Sequence, residues 1–287
     1  MWKDSFLIGN ERVSLRLYHP GGCRAPVIIL CHDLCGVQAW MLPEVACYFV
    51  GAGFAVVTFD YRGFGASEGE RGRLSMAQQE EDLCGVIDWL QELKHIDSSR
   101  IGLWGVGLGC KSLITAALKR PTVRALTCLQ PWGSGQAWFA ESERAWRDLL
   151  HLQTYMERER KTTGSELWLT LPQLLKKREA RQFYQLCQKR FPDMPGRLPI
   201  AIIQDIAQCD ITVLAPEVKQ PTFVVLPGVQ SLSEREESRL FYQALGGSKA
   251  LSVVEGAGYY DLYAQPRLGE VLRSQLVWFE FRLKNAR

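Results

Sequence analysis

Short apolar runs bounded by turn residues recur along this 287-residue chain, and stretches with helical periodicity separate them. The runs are residues 27–31, 53–60, 100–105, 222–226 and 251–255. Brief β-rich runs of this kind suit strands buried on both faces of a parallel sheet. Residues 43–52 and 77–93 have helical spacing, the second with Leu83, Val86, Ile87 and Leu90 on one face, and 269–283 closes the chain with a third helix. Alternating strands and helices predict an α/β fold, a mostly parallel doubly wound sheet with helices on both faces. Residues 5–18 predict an antiparallel pair ahead of it.

Residues 131–215 break this rhythm. They hold Trp132, Trp138, Trp146 and Trp168, four of the nine tryptophans, and charge-rich helical patterns at 142–160 and 171–190, followed by Pro192, Pro195 and Pro199. The expectation is a core of residues 1–130 and 216–287 with a helical cap, 131–215, over the carboxyl ends of the strands, where open α/β sheets bind ligands.

Composition narrows the function classes. Hydrophobic residues make up 47% and charged residues 23%, with a net charge of +3. That is globular usage, and it gives no reason to expect nucleic acid or an anionic membrane as a partner. No apolar run reaches the roughly 18 residues of a spanning helix, and the opening residues lack the pattern of a secretory signal. The nine cysteines show no C-x-x-C spacing, and several sit in apolar runs (Cys31, Cys47, Cys128), so reduced thiols and a cytoplasmic location are expected. His19, His32, His95 and His151 are scattered, which gives no metal site, and no cofactor is expected.

Around these elements stand recognisable motifs. A strand leads into Gly105-Val106-Gly107-Leu108-Gly109 and then a helix, the frame of a G-x-S-x-G nucleophile elbow. Leu30-Cys31-His32-Asp33 ends an apolar strand upstream. Gly51-Ala52-Gly53-Phe54 and Phe59-Asp60-Tyr61-Arg62-Gly63-Phe64-Gly65-Ala66-Ser67-Glu68-Gly69 follow, and Gly256-Ala257-Gly258-Tyr259-Tyr260-Asp261 comes near the end. Together these segments resemble the α/β-hydrolase superfamily over nearly the whole chain. Residues 157–166 resemble its bacterial members with a helical insertion.

The resemblance implies a Ser-His-Asp triad and an oxyanion loop, and this chain departs from both. The nucleophile falls on Gly107, the histidine on Tyr259 and the acid on Ser231, while Asp33 stands for the second glycine of the oxyanion loop and Cys35 for a small residue two further on. Triad hydrolysis needs an oxygen nucleophile, a base and an orienting acid, and its removal lowers the rate about 10⁶-fold. Gly107 has no side chain to acylate, and no histidine follows His151. Tyr259, a phenol with a pKa near 10, is a donor and a poor base. An ionised Asp33 about 5 Å from a developing oxyanion would repel it by about 3 kcal/mol at an effective dielectric of 20. The alternative is an Asp33 that turns away to cap a turn or helix. Glycine at the elbow also relieves roughly 1–3 kcal/mol of backbone strain. On the same reasoning, only Gly107→Ser combined with Ser231→Asp and Tyr259→His is expected to return ester turnover.

Other residues carry weaker signals. Cys35 lacks a nearby base beyond His32, and Asp33 would raise its thiol pKa. Cys110 reads as core and His32 as a loop residue. Asp60 and Arg62 read as loop stabilisers. Tyr259, Tyr260 and Tyr263 form an aromatic cluster, and the basic residues at 157–161 a solvated helix face. The expected pocket comprises Asp33, Leu34, Cys35, Gly107, Leu108, Tyr259 and Tyr260. The leading expectation is a hydrolase-like protein without serine-hydrolase activity that binds a small-molecule ligand or a protein partner, with a homo-oligomer also open. The alternative is a lyase, isomerase or cyclase that uses Asp33 as base and Tyr259 as donor.

Overall fold

The computed structural model describes residues 1–22, 24–135, 143–164, 166–175 and 177–284. Eight strands form one sheet: β1 (Trp2–Ile8), β2 (Glu11–Tyr18), β3 (Ala25–Cys31), β4 (Ala55–Phe59), β5 (Ile96–Val106), β6 (Val123–Leu129), β9 (Thr222–Pro227) and β10 (Lys249–Val254), in the order β1-β2-β4-β3-β5-β6-β9-β10. The first two strands run antiparallel to their neighbours, and all later pairs are parallel. Every residue of β3 is buried, because helices cover both faces of a central parallel strand.

The core helices are α1 (Leu42–Gly51), α2 (Met76–Gln91), α3 (Gly109–Lys119), α8 (Leu232–Ala244) and α9 (Arg267–Phe279). In α2 the buried set includes Leu83, Val86, Ile87 and Leu90, the face that the spacing predicts. Helix α3 starts hard against β3. A Cβ on Gly109 would lie 2.5 Å from the His32 carbonyl oxygen and 2.7 Å from that of Cys31, so only glycine lets the helix approach this closely.

Between β6 and β9 lie α4 (Glu143–Thr163), β7 (Trp168–Thr170), α5 (Leu171–Leu174), α6 (Arg178–Arg190), β8 (Arg197–Pro199) and α7 (Ile202–Ala207). Strands β7 and β8 pair antiparallel. Trp138 and the side chain of Trp146 fall outside the described residues.

Two expectations are corrected. The helix expected over 171–190 is broken into α5 and α6, with Leu175 and Lys177 extended. The buried stripe of α6 is Ala180, Tyr184 and Cys187. Continued backwards at 3.6 residues per turn, it would reach Lys177 and Gln173 and miss the buried Leu171 and Leu174. The break re-phases the two apolar faces. Strand β6 was not expected at all, since Arg124 and Thr127 interrupt its apolar run, yet six of its seven residues are buried.

Asp60 and Arg62 do hold the loop after β4. Asp60 accepts from the backbone N–H of Gln38 at 2.7 Å, the Gln38 amide at 2.7 Å and the Ala66 N–H at 3.0 Å. Buried Arg62 donates to Asp82 at 2.5 Å and also pairs with Glu81 and Glu11. Asp82 is fully buried. Removing Asp82 takes two acceptors from Arg62 and leaves its charge to the more exposed Glu81 and Glu11, so Asp82→Ala should lower unfolding stability by about 2 kcal/mol in urea titration. A change below about 0.5 kcal/mol, the scale of an ordinary surface substitution, would mean that the pair does not anchor this loop.

Candidate functional site

The strand-to-helix turn between β5 and α3 places Gly107 at the carboxyl edge of the sheet with φ +54, a left-handed conformation that glycine adopts freely. Strand β3 delivers Asp33 to the same point from the neighbouring position in the sheet. The Asp33 carboxylate lies directly over Gly107. A Cβ built there would overlap all three carboxylate atoms, and even Oδ2, the most distant of them, would be 2.6 Å away. Oδ1 accepts the Leu108 backbone N–H at 2.8 Å. Oδ2 accepts the Tyr263 hydroxyl at 2.7 Å and the Tyr259 hydroxyl at 3.3 Å.

Leu108 is the residue after the elbow, and in α/β hydrolases that N–H is one donor of the oxyanion hole. The two sequence alternatives for Asp33 therefore merge. It binds the N–H at the start of α3, and in doing so it fills the space above Gly107. Burial raises the Asp33 carboxyl above the ordinary value of 3.8, against the opposing pull of the Leu108 N–H, the Tyr263 hydroxyl, the Leu34 N–H and the Tyr259 hydroxyl.

The remaining residues of the site serve this carboxylate. Tyr259 is buried enough, and near enough to Asp33, for its phenol to be held well above the usual value, which keeps it a neutral donor. Its hydroxyl accepts from Trp132 Nε1 at 2.9 Å. Trp40 stacks on Tyr263 at 5.5 Å. Tyr263 was expected only as part of an aromatic cluster, although it makes the shortest bond to Asp33. The His32 Nδ1–H donates to the Asp33 carbonyl oxygen at 3.1 Å, and the ring packs edge-on against Tyr61, as a loop residue would. Burial, followed by the charge of Asp33, pushes the Cys35 thiol well up, which removes it as a nucleophile. Cys110 is likewise pushed up by burial.

Ser231 has a different task. It caps α8, accepting the Glu234 N–H at 3.3 Å while its own hydroxyl donates to the Glu234 carboxylate at 2.8 Å. Glu234 in turn pairs with Lys177 of the cap at 2.7 Å.

A cavity of about 280 Å³ opens beside this network, walled by the sheet edge, α8 and the cap. Asp33, Ser231, Tyr259 and Tyr260 line it. Leu34, Cys35, Gly107 and Leu108, expected at the pocket, do not line it; over Gly107 lies the Asp33 carboxylate. The cavity wall also holds Gln130, Tyr184 and Glu237, which the sequence reading missed. Glu237 lies on α8, and burial raises its carboxyl to about 7.

This architecture has known relatives. A model of the X-Pro dipeptidyl-peptidase (S15) family matches residues 9–197. The chain belongs to that family. A protein of Escherichia coli described as an uncharacterized 31.7 kDa protein in the traX-finO intergenic region is 34% identical over 280 residues, 96% of this chain and 97% of that one. The polyketide transferase GrgF of Penicillium sp. is 30% identical over 113 residues, 39% of this chain and 38% of GrgF. The crystal structure of the alpha/beta hydrolase GrgF superposes with a TM-score of 0.83 at 19% identity over 99% of both chains. The structure of DcsB in complex with its substrate analogue superposes with a TM-score of 0.86 at 20% identity, covering 99% of this chain and all of that one. The fold of this S15 chain is thus the α/β-hydrolase fold.

The geometry revises the expected effect of restoring a serine. Gly107→Ser meets the Asp33 carboxylate as well as the strain of the elbow, so three substitutions at 107, 231 and 259 do not suffice while Asp33 remains. Overpacking and backbone strain together should make Gly107→Ser about 3 kcal/mol less stable. In a double-mutant cycle with Asp33→Gly, a favourable coupling of about 1 kcal/mol or more is expected. Additive effects would place Asp33 elsewhere.

The raised carboxyl of Asp33 has a pH consequence. The folded protein retains a proton that the unfolded chain releases, so this contribution to stability is present below 3.8 and is lost as pH rises through the folded value. Asp33→Asn should therefore gain stability relative to the unsubstituted protein as pH rises from about 4 to 8, read from thermal melts. A variant that instead loses stability relative to the unsubstituted protein over that range would reverse the sign of the shift.

Proposed function

We propose that this S15-family chain is a non-hydrolytic α/β-hydrolase-fold protein that binds a small molecule in the cavity between sheet and cap. The observation that carries this reading is the seat of Asp33. Its carboxylate fills the volume that a nucleophile on the elbow would need, and it holds the Leu108 N–H that would otherwise meet an oxyanion. An acyl intermediate at the elbow has neither an attacking atom nor a free donor. Ser231 is engaged as a helix cap, and Tyr259 donates rather than accepts a proton. A protein partner remains the other occupant of such a site, but a concave pocket of this size with polar groups on its wall suits a small ligand better.

A second reading has one observation in its favour. Asp33 and the Tyr259 hydroxyl meet at the cavity wall, 3.3 Å apart, as a base and a donor would in a lyase, isomerase or cyclase. Against it, both carboxylate oxygens already accept protein donors, so Asp33 is engaged by the protein's own groups and not aimed at a substrate. GrgF is named a polyketide transferase, and if this chain shares that chemistry, the acyl group cannot rest on Gly107.

A fluorophosphonate probe tests the reading. The purified protein should remain unlabelled, with intact mass unchanged. Stoichiometric labelling mapped to any residue around the cavity would overturn the non-hydrolytic assignment.

A further inference from the structure

The sheet ends in two outer strands, β1 and β10, and they are protected differently. Strand β1 carries Lys3 and Asp4, both exposed, charges of the kind that keep an edge from pairing. The middle of β10 has no such guard. It holds no proline, and its register with β9 runs unbroken from Lys249 to Val254. Its one charged residue, Lys249, stands at the first position, tied by two of its three N–H groups to the Gln243 and Leu245 carbonyl oxygens at 2.6 and 3.1 Å. Leu251 and Val253 share one face of the strand and are each 43% exposed, whereas the neighbouring β9 is buried throughout.

The backbone fixes how another strand could join this edge. The Ser248 and Val254 carbonyl oxygens accept from Thr222 of β9 and from Gly228 just after it. Even-numbered residues of β10 therefore turn their backbone groups to β9, and Lys249, Leu251 and Val253 turn theirs to the free edge. A second β10 running antiparallel must then set odd positions against odd ones. With a two-fold axis at Ser252, Leu251 meets Val253 and Lys249 meets the exposed Glu255, each pair occurring twice. Moving the axis to Leu251 sets Lys249 against Val253, and moving it to Val253 sets Glu255 against Leu251. Of these three registers, the one centred on Ser252 matches apolar residues with apolar ones and opposite charges with each other.

We infer that two copies of this chain join through β10, with the two-fold axis at Ser252, so that the sheet continues from one copy into the other. The same segment serves both copies, and the assembly closes at two. Cross-strand apolar and opposite-charge pairs stabilise such a junction. The third N–H of Lys249 is the one that meets Glu255 of the second copy. The interface lies on the outer strand and does not depend on what occupies the cavity.

Sedimentation equilibrium of the full chain over a dilution series should show a monomer–dimer equilibrium. Leu251→Lys, whose folding is checked by its thermal melt, should weaken the dimer at least about tenfold. Glu255→Lys changes an exposed residue, sets lysine against Lys249 twice, and should weaken it by a similar factor. Ser252→Cys reads the register. On the axis the two residues form a non-hydrogen-bonded pair with Cα atoms about 4.5 Å apart, within the span of a disulfide. Mild oxidation should link the copies through that residue, as shown by peptide mapping, and should not do so in Ala250→Cys. A protein that stays monomeric at every concentration would overturn the inference. So would a dimer that persists in folded Leu251→Lys and Glu255→Lys, or equal linkage through residues 250 and 252. Assemblies that keep growing with concentration would also overturn it, since an open chain of contacts has no two-fold axis at Ser252.

Discussion

One carboxylate organises the centre of this protein. Asp33 bridges the end of β3 to the start of α3 through the Leu108 N–H, and it gathers Tyr259 and Tyr263 from the far end of the chain. Its position requires that Gly107 carry no side chain, because any Cβ there would overlap it. The reverse constraint also holds. A buried carboxylate with no donors would be costly, and the elbow supplies a backbone N–H to bind it. Asp33 and Gly107 therefore form a matched pair, and neither reads correctly alone.

The fold was legible in the sequence where residue pattern and geometry coincide. The buried runs of β3, β4 and β9 and the apolar face of α2 could be read from spacing, as could the Asp60 and Arg62 loop. Strand β6 was not legible, because Arg124 and Thr127 disguise a buried strand. The break between Leu174 and Arg178 is not legible because only the relative phase of the apolar residues on either side betrays it.

At the site, the residue identities at 33, 107, 231 and 259 were plain from the motifs, but their geometric relations were not. Sequence alone offered Asp33 either as an intruder in the pocket or as a helix cap, and the turn at 107 makes it both. Tyr263 lay four residues beyond the motif position at 259, and nothing but the helical turn at Tyr260–Tyr263 brings its hydroxyl to Asp33. Gln130 and Glu237 carry no sequence signal. The first lies just past β6, itself unrecognised, and the second lies half-buried on a helix whose other charged residues Arg235, Glu236 and Arg239 are exposed. The cavity is consequently displaced from the elbow toward α8 and the cap, and its lining differs from the one that the superfamily frame suggests.

The central claim is that Asp33 holds the Leu108 N–H from within a buried site. The Leu108 amide proton shift, followed by NMR across a pH titration, reports on this bond directly. The account predicts that this amide titrates with a midpoint above 3.8, the ordinary value for the carboxyl, and that the transition disappears in Asp33→Asn. An amide insensitive to pH, or a transition unchanged by the substitution, would contradict it.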